Sequence, residues 1–152
     1  MDRSQIDELA ETFLILMPLI QKKLFDSIGP EEMPPIQLPG TAGRVLRLLR
    51  EVRQARASEL GKRLNIARPN MTSILDQLQA LGLIIRQMDE TDRRVINVVI
   101  TPQGAELCDA YTRIVSNKIR LLLKEIGPEE LDALLLSMTK MKEILLKADA
   151  ST

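Results

Sequence analysis

The stretch that most constrains the fold of this chain runs from residue 57 to residue 101. It begins with a short helical segment in which Leu60 and Leu64, four residues apart, share one apolar face. Asn65 follows directly, and asparagine tolerates the left-handed conformation in which helices often end. We therefore predict a short helix that closes in a tight turn before a second helix begins.

The second helix opens at Arg68-Pro69, because proline suits a first-turn position where its missing N–H would have no partner. Gly82 ends it. Its predicted core residues recur at steps of three and four: Met71, Leu75, Leu78 and Leu81. Helix, tight turn and helix is the arrangement that places a recognition helix in the major groove of DNA.

A predicted β-hairpin follows at once. Residues 83–88 and 95–100 are rich in β-branched side chains, and the short polar segment 89–94 suits a hairpin tip. Arg93 and Arg94 at this tip suit the minor groove, whose narrow A·T stretches concentrate negative potential. In an isolated hairpin such arginines are more often simply solvated, but directly behind a helix-turn-helix we favour contact with DNA. The pattern as a whole predicts a winged helix-turn-helix.

The same residues resemble the MarR family of transcriptional regulators in type, order and spacing. The segments that carry the resemblance are Leu60-Gly61-x-x-Leu64, Arg68-Pro69-Asn70-Met71-Thr72, Leu78-x-x-Leu81-Gly82-Leu83-Ile84-x-Arg86, Asp89-x-x-Asp92-Arg93-Arg94 and Ile100-Thr101-x-x-Gly104. Three positions depart from the family's usual residues: Ala67 replaces a serine, Ser73 an arginine, and Pro39-Gly40 a capping threonine. The resemblance implies a homodimer with intertwined terminal helices, two wings on one side, and a small-molecule effector.

The candidate residues for reading bases lie in the first turns of the second helix, away from its predicted core face. They are Arg68, Asn70, Thr72 and Ser73. Side chains of these types can donate to or accept from base edges in the major groove.

Further candidate contacts lie outside the second helix. Lys62 and Arg63 are expected to bind phosphates, which sets the register of a protein on DNA without reading sequence. Arg93 and Arg94 are the predicted wing contacts. Asp92 is expected to orient one of these arginines, because DNA phosphates repel a carboxylate.

The charge of the chain is divided, although its net value is zero. Residues 41–101 carry eleven Lys and Arg against six Asp and Glu, and the remainder carries ten against fifteen. A basic centre between acidic flanks is typical of a DNA-reading module carried on a separate scaffold.

Three amphipathic helices are predicted outside the winged helix, at residues 4–27, 102–126 and 128–147, in addition to a helix at 40–53 within it. Pro18 is expected to kink or divide the first of them near Met17, and Thr101-Pro102 is a strong helix start. The apolar faces of these helices need a partner, and a second copy of the chain would supply one in a two-fold dimer.

The predicted fold class is mainly α with a small β-hairpin wing (α+β), a winged helix-turn-helix with long N- and C-terminal dimerisation helices. We divide the chain into an N-terminal helix and linker at 1–38, a DNA-binding domain at 39–101 and C-terminal dimerisation helices at 102–152. No apolar run is long enough for a membrane span, and with one cysteine and no targeting pattern at the N-terminus a cytoplasmic location is expected.

The absence of histidine argues against an enzyme. Without histidine the chain lacks the commonest general base, the usual nucleophilic triads and most zinc sites. The glycines are isolated and form no phosphate-binding loop. We therefore expect no catalytic residues, no metal and no cofactor.

Three features leave alternatives open. Cys108 is either a small buried residue, which we favour, or a redox sensor, which would require a lowered pKa and exposure. An arginine recurs every three residues from 44 to 53, either as a solvated face, which we favour, or for contact with phosphate or the lining of an anionic cleft. An effector crevice could be lined by Tyr111, Phe13, Phe25 and Met17, although such residues at helical spacing more often belong to a core.

The function predicted from the sequence is that of a homodimeric, sequence-specific regulator of transcription, a repressor that binds double-stranded DNA at a pseudo-palindromic operator. Two alternatives remain: a winged helix that docks a protein partner, and a regulator switched by oxidation of Cys108. The steep salt dependence of binding through phosphates would distinguish DNA from a largely apolar protein partner.

Overall fold

The computed structural model describes residues 3–149 and contains six α-helices and one small sheet in that range. The helices are α1 (Arg3–Ile20), α2 (Gly40–Val52), α3 (Ala57–Leu64), α4 (Arg68–Ala80), α5 (Pro102–Leu122) and α6 (Pro128–Asp149). The strands are β1 (Gln54–Arg56), β2 (Ile84–Met88) and β3 (Ile96–Ile100). The chain divides into two compact units, one of residues 34–112 and one formed by both terminal segments, with the boundary inside α5.

The first unit is the winged helix-turn-helix that the sequence predicts. Its core is almost entirely aliphatic, as a chain with 2% aromatic residues requires. The largest fully buried side chains come from α2, α3, α4, β2 and β3 and the residue before β2: Val45, Leu46, Leu49, Leu60, Leu78, Leu83, Ile84 and Val98. These residues hold the two helices of the helix-turn-helix and the sheet on one common core.

The turn between α3 and α4 is closed by Asn65, whose φ of 51° and ψ of 49° are left-handed, as predicted. α4 then begins after Ala67, where no side chain caps the helix. Met71, Leu75 and Leu78 are buried on its core face, as predicted. The inclusion of Leu81 in that face is wrong: it is 36% exposed at the C-terminal cap of α4, one position after the helix ends.

The sheet has three antiparallel strands in the order β1-β3-β2. It therefore contains one strand more than the predicted hairpin of β2 and β3, which forms the wing. Ile84 lies opposite Ile100 and Met88 opposite Ile96 in the hairpin. β1 lies on the other side of β3, with Gln54 opposite Val99. A strand of three residues has too short a pattern to be recognised in the sequence, and its formation depends on β3, more than forty residues later.

Thr101 joins three elements at the base of the wing. Its hydroxyl oxygen accepts a 3.1 Å hydrogen bond from the Gly104 amide, which caps α5 as predicted, and its hydroxyl donates at 2.7 Å to the Gly82 carbonyl. Gly82 has a φ of 71°, which favours glycine. Gly104 lies so close to the Leu83 carbonyl that a β-carbon would collide with it. The spacing of these residues therefore fixes how α5 leaves the wing.

The second unit contains α1, the end of α5 and α6. α1 is not divided near Met17: α-helical geometry continues past Pro18 to Ile20, and a π-helical turn, Gln21–Phe25, follows. Pro18 lacks a backbone donor, so the regular hydrogen bonding of the helix is interrupted at that position. Lys118 of α5 binds the Ser27 carbonyl and the Glu32 carboxylate, both at 2.9 Å.

Apolar side chains cover much of the exposed surface of this second unit. Those more than half exposed on α1 and α6 are Leu9, Leu14, Ile15, Met17, Leu135, Leu136, Met138, Ile144, Leu145 and Leu146. Soluble monomers rarely expose apolar areas of this extent. No helix in residues 3–149 is long and apolar enough to cross a membrane.

Candidate nucleic-acid interface

A basic groove of about 570 Å³ lies between α3, α4 and the wing. Its lining residues are Arg56, Ala57, Ser58, Gly61, Lys62, Ile66, Arg68, Met71, Thr72, Leu75, Arg86, Arg94, Val95 and Ile96. Five of them are arginine or lysine, and none of these lining residues is aspartate or glutamate. The groove is therefore lined by positively charged and apolar side chains, as expected of a surface that binds a polyanion.

The four candidate base-reading residues of α4 are not all on one face. Arg68 and Thr72 line the groove, and the Thr72 hydroxyl donates a 3.1 Å hydrogen bond to the Arg68 carbonyl. Asn70 and Ser73 lie three residues apart on an adjoining exposed face and are not among the residues that line the groove. The buried Met71 fixes the orientation of this first turn.

The two candidates of α3 also separate. Lys62 lines the groove, whereas Arg63 is exposed outside it. Both lie in the last turn of α3, where cations interact favourably with the helix dipole.

Asp89 organises the tip of the wing. Its Oδ1 accepts hydrogen bonds from the Thr91 hydroxyl at 2.8 Å and from the Thr91 and Asp92 amides at 3.0 and 3.1 Å. Its Oδ2 accepts one from the Asn97 side chain at 3.3 Å. These bonds, that from the Thr91 hydroxyl above all, lower the pKa of Asp89 from 3.8 to about 2. The carboxylate therefore holds the tip in one conformation at neutral pH.

The two arginines of the tip differ in their contacts. Asp92 Oδ1 accepts hydrogen bonds from the backbone amide of Arg94 at 3.0 Å and from its Nε at 3.1 Å. The Arg94 side chain is nevertheless 92% exposed and lines the groove. Arg93 is exposed and makes no hydrogen bond or ion pair with another described residue. The geometry is compatible with the orienting role that we predict for Asp92.

Arg56 and Arg86 also line the groove, although the sequence analysis does not predict them as DNA contacts. Arg56 lies at the end of β1, and its backbone amide donates a 3.1 Å hydrogen bond to Glu59. Its place beside the groove follows both from its position directly before α3, where it is the N-cap residue, and from the pairing of β1 with β3. Arg86 lies in one of the segments that resemble the MarR family, but its position against α4 depends on the folded sheet. Tertiary structure is what adds both residues to the interface.

A second, smaller cavity of about 220 Å³ lies between α2 and α5 within the first unit. It is lined by Leu38, Gly40, Gly43, Arg44, Leu46, Arg47, Leu107, Cys108 and Tyr111. The side chains of Arg44 and Arg47 make no hydrogen bond or ion pair with another described residue. Of the predicted crevice residues only Tyr111 is in this lining.

The arginines of α2 therefore have two environments. Arg44 and Arg47 line the cavity, whereas Arg50 binds Asp109 of α5 through two hydrogen bonds of 3.0 Å.

Burial raises the pKa of the Cys108 thiol, and the positive charge of Arg47 only partly opposes this effect. Within residues 3–149, no cluster of acidic or thiol groups could hold a metal ion.

Comparisons with known proteins agree with this geometry. Residues 38–96 match the family model described as the MarR family. YkoM, a helix-turn-helix-type transcriptional regulator of Bacillus subtilis, is 28% identical over 96 residues, which span 63% of this chain and 62% of YkoM.

Solved structures extend the likeness to almost the whole chain. A MarR family protein from Bacillus stearothermophilus has a TM-score of 0.76 at 16% identity, covering 95% of this chain and 98% of that one. BpsR of Bordetella bronchiseptica, whose DNA binding is regulated by 6-hydroxynicotinic acid, has a TM-score of 0.62 at 21% identity, covering 87% of this chain and 98% of BpsR. At these identities the likeness shows a common fold.

Proposed function

We propose that the protein, whose residues 38–96 match the model of the MarR family, is a homodimeric, sequence-specific repressor that binds a pseudo-palindromic operator. The observation that carries the proposal is the groove between α3, α4 and the wing, with five basic side chains and no acidic side chain in its lining. Binding to DNA is driven largely by the neutralisation of phosphates, and this groove supplies the charge.

The residues in and around the groove have two proposed roles in DNA binding, according to their position. Arg68, Asn70, Thr72 and Ser73 lie in the first turns of α4 and would read base edges. Lys62, Arg63, Arg93 and Arg94 would bind phosphates or enter the minor groove. Asp92 would orient Arg94, from which it accepts three hydrogen bonds. Under this proposal the protein makes sequence-independent and sequence-dependent contacts through different elements.

The exposed leucines of the terminal unit support a dimer. α1 and α6 expose apolar side chains along their length, and a second copy of the chain would cover them by a symmetric interface. A two-fold dimer also places two recognition helices so that they can read half-sites about one helical turn apart. We accordingly assign residues 1–38 and 102–152 to dimerisation and residues 39–101 to DNA binding.

The cavity beside α2 supports a small-molecule effector. Arg44 and Arg47 line an opening whose other walls include Leu107 and Tyr111, so an anion with an apolar body would suit it. BpsR provides a precedent in this fold for regulation of DNA binding by a small acid. Occupation of the cavity would be expected to change the affinity for DNA.

The test is to select a duplex from a randomised pool with the full-length protein and titrate it, and a scrambled duplex, at several salt concentrations. We expect binding that weakens steeply with salt, with a slope of about −0.9 for each phosphate neutralised. Failure to retain any duplex above the scrambled background at low salt would refute the proposal. Capture of a protein partner with little dependence on salt would then favour the docking-module alternative.

A further inference from the structure

Arg86, in the middle of β2, holds two residues of the recognition helix. Its Nε donates a hydrogen bond of 2.7 Å to Gln79 Oε1, and its Nη2 donates one of 2.6 Å to Asp76 Oδ1. Asp76 and Gln79 lie about one helical turn apart in α4. Because a guanidinium is planar with donors in fixed directions, these two bonds constrain the angle of the helix as well as its distance from β2.

The two elements that Arg86 joins carry the two halves of the proposed interface. α4 presents Arg68 and Asn70 in its first turn, and β2 leads directly into the tip that bears Arg93 and Arg94. Besides Arg86, α4 is joined to the sheet by buried apolar side chains and, at the turn into β2, by the Leu83 amide, which donates a 3.0 Å hydrogen bond to the Leu78 carbonyl. The apolar contacts are non-directional, so they hold the helix on the sheet but specify its angle less strictly.

The environment of Arg86 differs from that of a free DNA-contacting arginine. Its side chain is 27% exposed, compared with 92% for Arg94. Its charge is already paired with Asp76, whose carboxylate would compete with any phosphate that approached. Although Arg86 lines the groove, its guanidinium is therefore already bound to two side chains of α4.

We propose that Arg86 is a positioning residue of the DNA interface: it holds Asp76 and Gln79 so that the recognition helix and the wing engage DNA in one register. This inference rests on the proposed function, because it assigns α4 and the wing to the same DNA site. Its consequence is that Arg86 governs discrimination between sequences and contributes little to the charge-driven affinity for any DNA.

Two substitutions distinguish positioning from direct contact with phosphate. Arg86→Met keeps much of the apolar stem of the side chain but removes both bonds, and Asp76→Asn weakens the ion pair while leaving the arginine in place. If Arg86 positions α4, both variants should lose discrimination. If Arg86 binds phosphate, Asp76→Asn should free its charge and tighten binding to every duplex.

The ion pair between Arg50 and Asp109 provides a matched control. It also joins two elements, through a 3.0 Å contact, and its side chains are 32% and 41% exposed, against 27% and 59% for Arg86 and Asp76. It lies outside the groove. Arg50→Met should therefore cost comparable stability without changing discrimination.

The experiment titrates the full-length parent and the three variants against the duplex selected by the parent and a scrambled duplex, with thermal unfolding of each. We expect the ratio of the two affinities to fall about tenfold or more in Arg86→Met and Asp76→Asn, the loss expected for one good base contact. The salt slope on the scrambled duplex should stay as in the parent, and Arg50→Met should keep the parental ratio.

Three results would overturn the inference while leaving the proposed function intact. These are an unchanged ratio in Asp76→Asn, tighter binding of Asp76→Asn to both duplexes, and a fall of the ratio in Arg50→Met as large as that in Arg86→Met. If Arg86→Met does not fold, Asp76→Asn decides alone. A parent that selects no duplex would instead refute the proposed function itself.

Discussion

The side-chain amide of Asn97 donates a 3.3 Å hydrogen bond to Asp89, across the hairpin from it. The same carboxylate accepts three bonds from Thr91 and Asp92, so one acidic side chain ties the first strand of the hairpin, its tip and its second strand. Arg93 and Arg94 follow directly on this tied segment. The wing is thus a preformed tip that presents two arginines, and its order depends on the ionised state of Asp89.

The order of the wing should depend on pH in a window set by Asp89. Hydrogen bonds, first that of the Thr91 hydroxyl, lower its pKa in the folded protein from 3.8 to about 2. Because the folded pKa is the lower one, the stabilisation is complete above the unfolded value near 3.8 and is lost as the pH falls through about 2. The amide resonances of Thr91 and Asp92, followed by NMR during acid titration, should shift with a midpoint near that value.

Asp89→Asn should remove this acid transition and loosen the tip at neutral pH. Glu90→Gln is the control. Glu90 is the exposed neighbour of Asp89 at the same tip, and its side chain makes no hydrogen bond or ion pair with another described residue. A transition of the Thr91 amide that survives unchanged in Asp89→Asn would show that another group controls the wing.

Backbone strain at Arg53 predicts a stabilising substitution. Arg53 has a φ of 69° and a ψ of −43°, outside the ordinary left-handed region, where it ends α2 and donates its amide to the Leu49 carbonyl at 2.7 Å. Arg53→Gly should raise the free energy of unfolding by about 1 kcal/mol, because glycine adopts this conformation without a clash. Asn65→Gly is the matched control: at φ 51° and ψ 49° asparagine is already tolerated, so the gain should be smaller. Urea unfolding at one fixed protein concentration measures both, and equal gains would contradict the strain argument.

Helix boundaries were predictable from the sequence wherever one residue type suits a particular conformation. Asn65 ends α3 with left-handed angles, and Thr101 caps α5 through the Gly104 amide. The periodic spacing of Met71, Leu75 and Leu78 predicted the buried face of α4. These features depend on residues close in the chain, so local physical chemistry is sufficient to find them.

Features that depend on distant pairing could not be found in this way. β1 exists because it pairs with β3, and that pairing, together with the start of α3, brings Arg56 to the groove. Arg86 meets Asp76 and Gln79 only after β2 has packed on α4. The sequence therefore predicts the elements that carry the candidate site, whereas the relative placement of its side chains is a property of the folded unit.

Cys108 is predicted not to sense peroxide. Burial raises the pKa of its thiol, so the reactive thiolate is scarce at neutral pH. Cys108→Ser should leave both the affinity for DNA and its response to peroxide as in the parent. Fluorescence anisotropy with a labelled duplex, before and after peroxide treatment, measures this. Release of the parent by peroxide, together with retention of the variant, would establish the redox alternative.

The exposed apolar surface predicts an obligate dimer. Sedimentation at micromolar concentration should show a dimer with no folded monomer, because α1 and α6 would otherwise leave many leucines in water. Removal of the residues after Gly127 deletes α6 and should abolish dimerisation or solubility. Arg93→Ala, an exposed change at the tip of the wing and outside the segments assigned to dimerisation, is the control and should remain dimeric. A well-folded monomer of the full-length chain at that concentration would refute the dimer.

Substitution of the wing arginine and of the recognition-helix asparagine should affect DNA binding differently. Arg93 is exposed at the tip, where a guanidinium can hold phosphates or enter the minor groove but distinguishes little beyond A·T from G·C. Arg93→Ala should weaken binding to selected and scrambled duplexes together, and should reduce the salt slope by about one for each phosphate that is no longer neutralised.

Asn70, in the first turn of α4, carries an amide that can pair with base edges, adenine in particular. Asn70→Ala should cost about 1–3 kcal/mol per base contact on the selected duplex and little on the scrambled one, with an unchanged salt slope. Arg120→Ala removes the same charge as Arg93→Ala from a residue that does not line the groove, and it should match the parent in both measurements. If Arg93→Ala spares binding to scrambled DNA and keeps the parental salt slope, the wing is not a DNA-binding element, and a protein partner becomes the better explanation of the exposed tip.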